Sequence, residues 1–99
     1  MATVNTIDEA RITRYLDLTR QALAKAQVVA PGKSFAAKMA ASFRQMAETY
    51  YADACHNHEQ GDDVLAFAQV NYAHGWLDAG ARLGIFDVGE DDVLFTLLE

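Results

Sequence analysis

Apolar residues recur along this chain at helical spacing, and three stretches carry the pattern. In the first, Ile12, Tyr15, Leu16, Thr19, Ala22, Leu23, Ala26 and Ala30 form one stripe, and Arg14, Asp17, Arg20, Gln21 and Lys25 face away from it. Thr6-Ile7-Asp8-Glu9 reads as a capping box, with the Thr6 hydroxyl at the N-cap and the Glu9 carboxylate three residues on. Pro31-Gly32 ends this helix, which is expected over 7–29. The second helix is expected over 34–60, capped by Ser34. Its buried face reads Phe35, Met39, Ala40, Phe43, Met46, Ala47, Tyr50 and Ala54. Gly61 suits the left-handed residue that closes a helix, and Asp62 caps the next one at once. So short a connection makes an antiparallel hairpin.

The third helix, expected over 63–83, is less one-sided than a surface helix. Leu65, Ala66, Ala68, Val70, Tyr72, Ala73, Trp76, Leu77, Ala79, Gly80, Ala81 and Leu83 cover well over half its circumference. It is therefore expected at the centre, covered by both other helices. The arc left over carries Phe67, Asn71, His74, Gly75, Asp78 and Arg82. Small residues repeat every seven places on both arms of the hairpin, at Ala40, Ala47 and Ala54 and at Ala66, Ala73 and Gly80. Such a seam lets two backbones approach closely. Beyond Gly84, residues 85–88 are expected to form an arm over the bundle, and the rest of the chain offers them no strand partner. The fold class is all-α: one domain over 1–99, an antiparallel three-helix bundle with a short C-terminal arm, the tail spanning 85–99.

Composition supports that class. Of 99 residues 52% are hydrophobic, and a single proline leaves long helices undisturbed. The one cysteine, Cys55, forms no internal disulfide and suits a reducing compartment. No signal-like opening and no bilayer-length apolar run is present, so the expected location is the cytoplasm, away from membranes. Net charge is −6, unevenly placed: residues 1–50 hold seven Lys/Arg against four Asp/Glu, and residues 51–99 hold Arg82 alone against ten acids. That acidity argues against nucleic acid as a partner.

Candidate chemistry gathers on the third helix. Asn71, His74, Gly75, Asp78 and Arg82 share one strip, and antiparallel pairing brings Asp53 near His74, where it could accept a hydrogen bond. Asp78 and Arg82 have the favourable order for an i,i+4 ion pair. Gly75, costly inside a helix, suggests that something approaches the backbone there. Trp76 is expected in the core. Cys55 and His58 share a helix face, with His56 and His74 not far off, but the wheel spreads these four apart, so neither metal nor cofactor is expected. The Arg-x4–6-His signature of helical ribonuclease-like domains is missing, since Arg44 leads to Tyr50 and no histidine follows Arg82.

The segments YYADA (Tyr50 to Ala54) and EQGDDVLAFAQVNYAHGWLDAGARLGIF (Glu59 to Phe86) resemble a small archaeal family catalogued as domain of unknown function 357. The resemblance implies a short, helical, cytosolic archaeal protein with no assigned activity, and it carries over no catalytic residue. The functional expectation is a non-enzymatic protein–protein interaction module, with self-association into a homodimer among its modes. The alternative is a small enzyme or anion-binding protein using Asp53, Asn71, His74, Gly75, Asp78 and Arg82.

Overall fold

A computed structural model describes residues 5–29 and 32–96. It contains α1 (Glu9–Lys25), β1 (Gln27–Val28), α2 (Phe35–Glu59), α3 (Asp63–Leu83) and β2 (Phe86–Asp87). The fold is an all-α bundle in which α2 and α3 form a long hairpin and α1 packs on both.

The hairpin forms where local chemistry requires it. The Ser34 hydroxyl accepts from the Ala37 amide at 3.1 Å, and Asp62 accepts from the Leu65 amide at 3.1 Å. Between the two helices Gly61 has φ 82°, a conformation that glycine adopts without a Cβ clash. On α2 the fully buried residues are Ala40, Ala47 and Ala54; opposite them α3 buries Ala66, Val70, Ala73, Leu77 and Gly80. The small-residue seam is thus the hairpin's inner contact. Gly80 has a further reason to be glycine, since a Cβ there would overlap the ring of Phe86, itself buried.

Helix α1 differs from expectation at both ends. Its N-cap is Asp8 rather than Thr6, and the Asp8 carboxylate accepts from the Arg11 amide at 2.8 Å. Ile7 and Ile12 pack in the same cluster, a hydrophobic staple that sets the entry point two residues later than the capping-box reading. At the other end the helix stops at Lys25, and Ala26 is already extended. Continuing to 29 would put β-branched Val28 and Val29 in the helix and leave the Gln27 carbonyl facing Pro31, which has no N–H to donate. The Arg44 guanidinium instead caps the end of α1, donating to the carbonyls of Ala26 at 2.9 Å and Leu23 at 3.1 Å. Ala30 and Pro31 lie outside the described residues, as do 1–4 and 97–99.

The freed segment takes up the strand pairing that the sequence offered no sign of. Gln27 pairs with Asp87 and Val28 with Phe86, antiparallel, and the Val29 amide donates to the Ile85 carbonyl at 3.2 Å. The arm is therefore a two-residue edge on a minimal sheet before it turns back along α3.

Two clusters make the core. One joins Leu23, Ala47, Leu77, Phe86, Val88 and Phe95; the other joins Ile12, Ala54, Ala66 and Val70. Tyr51 touches both, and burial pushes its phenol up to about 12, with Cys55 beside it adding to the shift. The molecule is flat, with principal extents of 47 × 29 × 17 Å. α1 and the C-terminal segment touch Arg44, His58, Phe67, His74 and Asp78, all on one side of the hairpin. No described element covers the opposite side. Hence α3 is not wrapped as its composition suggested: Leu65, Tyr72 and Leu83 are 43%, 48% and 67% exposed, and Phe35 on α2 is 76% exposed.

Candidate functional site

The polar strip of α3 is partly an internal fastening. His74 Nε2 donates to the Leu94 carbonyl at 2.6 Å. A carbonyl only accepts, so the ring proton sits on Nε2 and Nδ1 takes the Thr19 hydroxyl, at 2.9 Å. That bond accounts for Thr19, the buried polar residue in the stripe of α1. Asp78 accepts from the Thr96 amide at 2.9 Å and forms no ion pair with Arg82, contrary to the i,i+4 expectation. The backbone donor of the returning chain occupies one of its oxygens. Asn71 bonds back to the Phe67 carbonyl at 2.9 Å. Asp53 is exposed on α2 and makes no bond to His74, because His74 lies on the α1 side of the hairpin and Asp53 on its outer surface; nor does it bond to Tyr72.

Asn71, His74, Gly75 and Asp78 do come together, with Tyr15, Leu18 and Val93, around a half-open groove of about 230 Å³. Arg82 and Asp53 do not line it. Nothing among the described residues lies within 4 Å of where a Gly75 Cβ would stand, so the close approach expected at this glycine is absent from the single chain.

A second polar group assembles at the junction of all three helices. His58, in the last turn of α2, has Nδ1 2.7 Å from Asp63, which opens α3, and Nε2 3.2 Å from Glu9, which opens α1. A carboxylate faces each ring nitrogen, which favours the imidazolium, and the Asp63 hydrogen bond raises the pKa above the ordinary 6.5. Among the described residues Glu9, His58 and Asp63 are the three potential ligands that converge; Cys55, His56 and His74 do not join them. Both acids suit helix N-termini and His58 suits a C-terminus, so the trio is accounted for by helix ends exchanging charge.

The remaining feature is the open side of the hairpin. Tyr50 and Tyr72 meet edge-to-face at 4.5 Å, Phe43 and Trp76 at 4.9 Å, and Tyr72 and Trp76 at 6.0 Å. Trp76 is half-buried and packs against the larger core cluster, as Phe43 does, and its indole nitrogen is buried without a hydrogen-bond partner among the described residues. At 100° per residue Met39, Met46 and Leu65 join these rings, and Asn57 and Gln69 bond to each other at 2.8 Å along the same side. None of these side chains is charged, and the exposed Asp53 carboxylate borders Met46 and Tyr50 on the same side. Beside Tyr72 lies a shallow, largely apolar hollow of about 320 Å³, lined by Asn71, Tyr72, Gly75, Trp76 and Ala79. The sequence did hold the signal. Leu65, Ala68, Tyr72, Gly75, Ala79 and Leu83 follow a heptad-like spacing, offset from the inner stripe of Ala66, Val70, Ala73, Leu77 and Gly80. Pooled together, the two stripes look like one broad apolar surface.

The model of a family described as "Protein of unknown function (DUF357)" matches residues 14–86, from within α1 to the first residue of β2. No curated protein and no solved structure matches significantly. Among the described residues no helix is long and apolar enough to cross a membrane.

Proposed function

This chain belongs to the DUF357 family, and from that premise we propose that it is a non-enzymatic helical module that binds protein through the open side of its α2–α3 hairpin. The carrying observation is the cluster of aromatic and methionine side chains on that side, opposite α1 and the returning tail. Aromatic residues and methionine are enriched, and charges depleted, at the centres of protein interfaces. Full burial of a large apolar side chain is worth about 1.5–3 kcal/mol. Tyr72, Leu65, Leu83 and Phe35 forgo much of that in the isolated chain. The test is a photoreactive phenylalanine analogue placed at Tyr72, and separately at exposed Gln21 on α1, in living host cells. Protein adducts should form from position 72 and not from 21. Equal yields, or none at 72, would remove the reading.

A second reading has one observation in its favour: four of the strip residues line the groove beside Val93. Both ring nitrogens of His74 are engaged there, so the groove suits a bound small molecule better than acid–base chemistry. Arg82 lies outside it and Asp78 within it, which favours a cationic over an anionic guest. Titrating small amines against the Gly75 and Asn71 amide signals tests this, and no shift at high amine concentration would discard it.

A further inference from the structure

Building on that reading, we infer that the partner on the open side is a second copy of this chain, with α3 packed antiparallel on α3 about a two-fold axis near Ala73 and His74. A two-fold contact requires a surface that complements itself, so a projection and a matching hollow must both lie close to the axis. Tyr72 is the projection, and the hollow beside it is floored by Gly75 and Ala79. In an antiparallel heptad pairing each large residue meets a small one or its like. Tyr72 of one copy lies over Gly75 of the other, Ala68 meets Ala79, and Leu65 approaches the Leu83 end.

This arrangement supplies what the single chain lacks. A glycine in mid-helix is destabilising relative to alanine, yet nothing among the described residues comes within 4 Å of a Cβ at Gly75 or requires a glycine there. A tyrosine ring from a second copy would fill that space. Charge points the same way. Each copy carries −6, which disfavours pairing through acidic surfaces, and the outer stripe of α3 from Leu65 to Ala79 holds no acid, while Asp53 on α2 borders the footprint. A basic partner would be served better by the acidic stretches elsewhere in the second half of the chain.

The size is adequate for a reversible dimer. From Leu65 to Leu83 the stripe runs about 27 Å, and with the Met46–Tyr50 edge of α2 it is roughly 20 Å wide. That footprint is on the order of 500 Å² per copy, or about 1,000 Å² in total, the lower bound for a specific interface. The dimer should therefore be concentration-dependent rather than permanent.

Light scattering of the purified chain over micromolar to millimolar concentration should show the mass rise from 10.9 kDa towards twice that value. Gly75→Leu, which fills the hollow, should weaken association at least about tenfold while leaving the melting temperature of the dilute protein unchanged or higher. Register is read separately in a Cys55→Ser background. Ala68→Cys with Ala79→Cys should form an intermolecular disulfide readily, and Ala68→Cys alone should not. A mass of one chain at every concentration, a dimer indifferent to Gly75→Leu, or cross-linking by Ala68→Cys alone would each overturn the inference. If the chain stays monomeric while the Tyr72 photoadduct contains a different protein, the second copy is wrong and the interaction surface stands.

Discussion

His74 and Leu94 fasten the C-terminal segment to the middle of α3, imidazole Nε2–H to carbonyl oxygen, at 2.6 Å. Because the other ring nitrogen accepts from Thr19, this one side chain joins α1, α3 and the tail. Lys25 and Asp91 add an ion pair at 2.8 Å between the cationic first half of the chain and the acidic second. Asp91 also accepts from the amides of Val93 and Leu94, forming the turn that presents Leu94 to His74.

Tail docking is accordingly expected to weaken in stages. Asp78→Ala should speed hydrogen exchange at the Thr96 amide, which it now binds, and leave the helical circular dichroism intact. The Lys25 hydrogen bond holds the Asp91 carboxyl below 3.8, so its contribution is present above that value and is lost as pH falls through the lowered pKa. Asp91→Asn should abolish that acid-dependent release, as followed by exchange at Leu94. An unchanged acid profile in the variant would show that Asp91 does not control it.

His58 has the opposite sign. Its pKa is raised, chiefly by the Asp63 hydrogen bond, so its stabilisation is complete below 6.5 and fades as pH rises through the raised value. The melting temperature of the natural protein minus that of His58→Gln should therefore shrink as pH rises above 6.5 through the raised pKa. A difference that stays constant over that range would mean the helix-end trio is not charged as described.

Packing along the inner seam makes a sharper demand. Ala73 is fully buried where α2 and α3 meet, so Ala73→Leu should cost about 1–3 kcal/mol through overpacking. Ala24→Leu, on the exposed side of α1, should cost far less. Equal denaturation midpoints for the two variants would contradict the seam.

The two helical glycines should separate cleanly. Gly75→Ala meets open space and should stabilise by about 0.4–1 kcal/mol, the usual gain where alanine fits. Gly80→Ala places a methyl against the buried Phe86 ring and should destabilise in spite of the same gain in helix propensity. Thermal melts of the pair decide it, and matching shifts would show that Phe86 moves aside freely.

What the sequence determined by itself is everything that local chemistry and periodicity control. Ser34, Gly61 and Asp62 place the α2–α3 turn because caps and left-handed residues act within a few positions of themselves. The seven-residue spacing of Ala40, Ala47 and Ala54 against Ala66, Ala73 and Gly80 sets which sides of the hairpin meet. What the tertiary structure decided depends on residues distant in sequence. The partner of His74 is Leu94 rather than Asp53, since α1 and the tail chose the same side of the hairpin. Val28 pairs with Phe86 because the chain beyond α3 returns beside the end of α1, where Arg44 from α2 holds the Ala26 and Leu23 carbonyls. Helical periodicity reports that a side chain is apolar and where it points on its own helix. It does not report which of two apolar stripes another element will cover, and on α3 that choice left the Tyr72 side open.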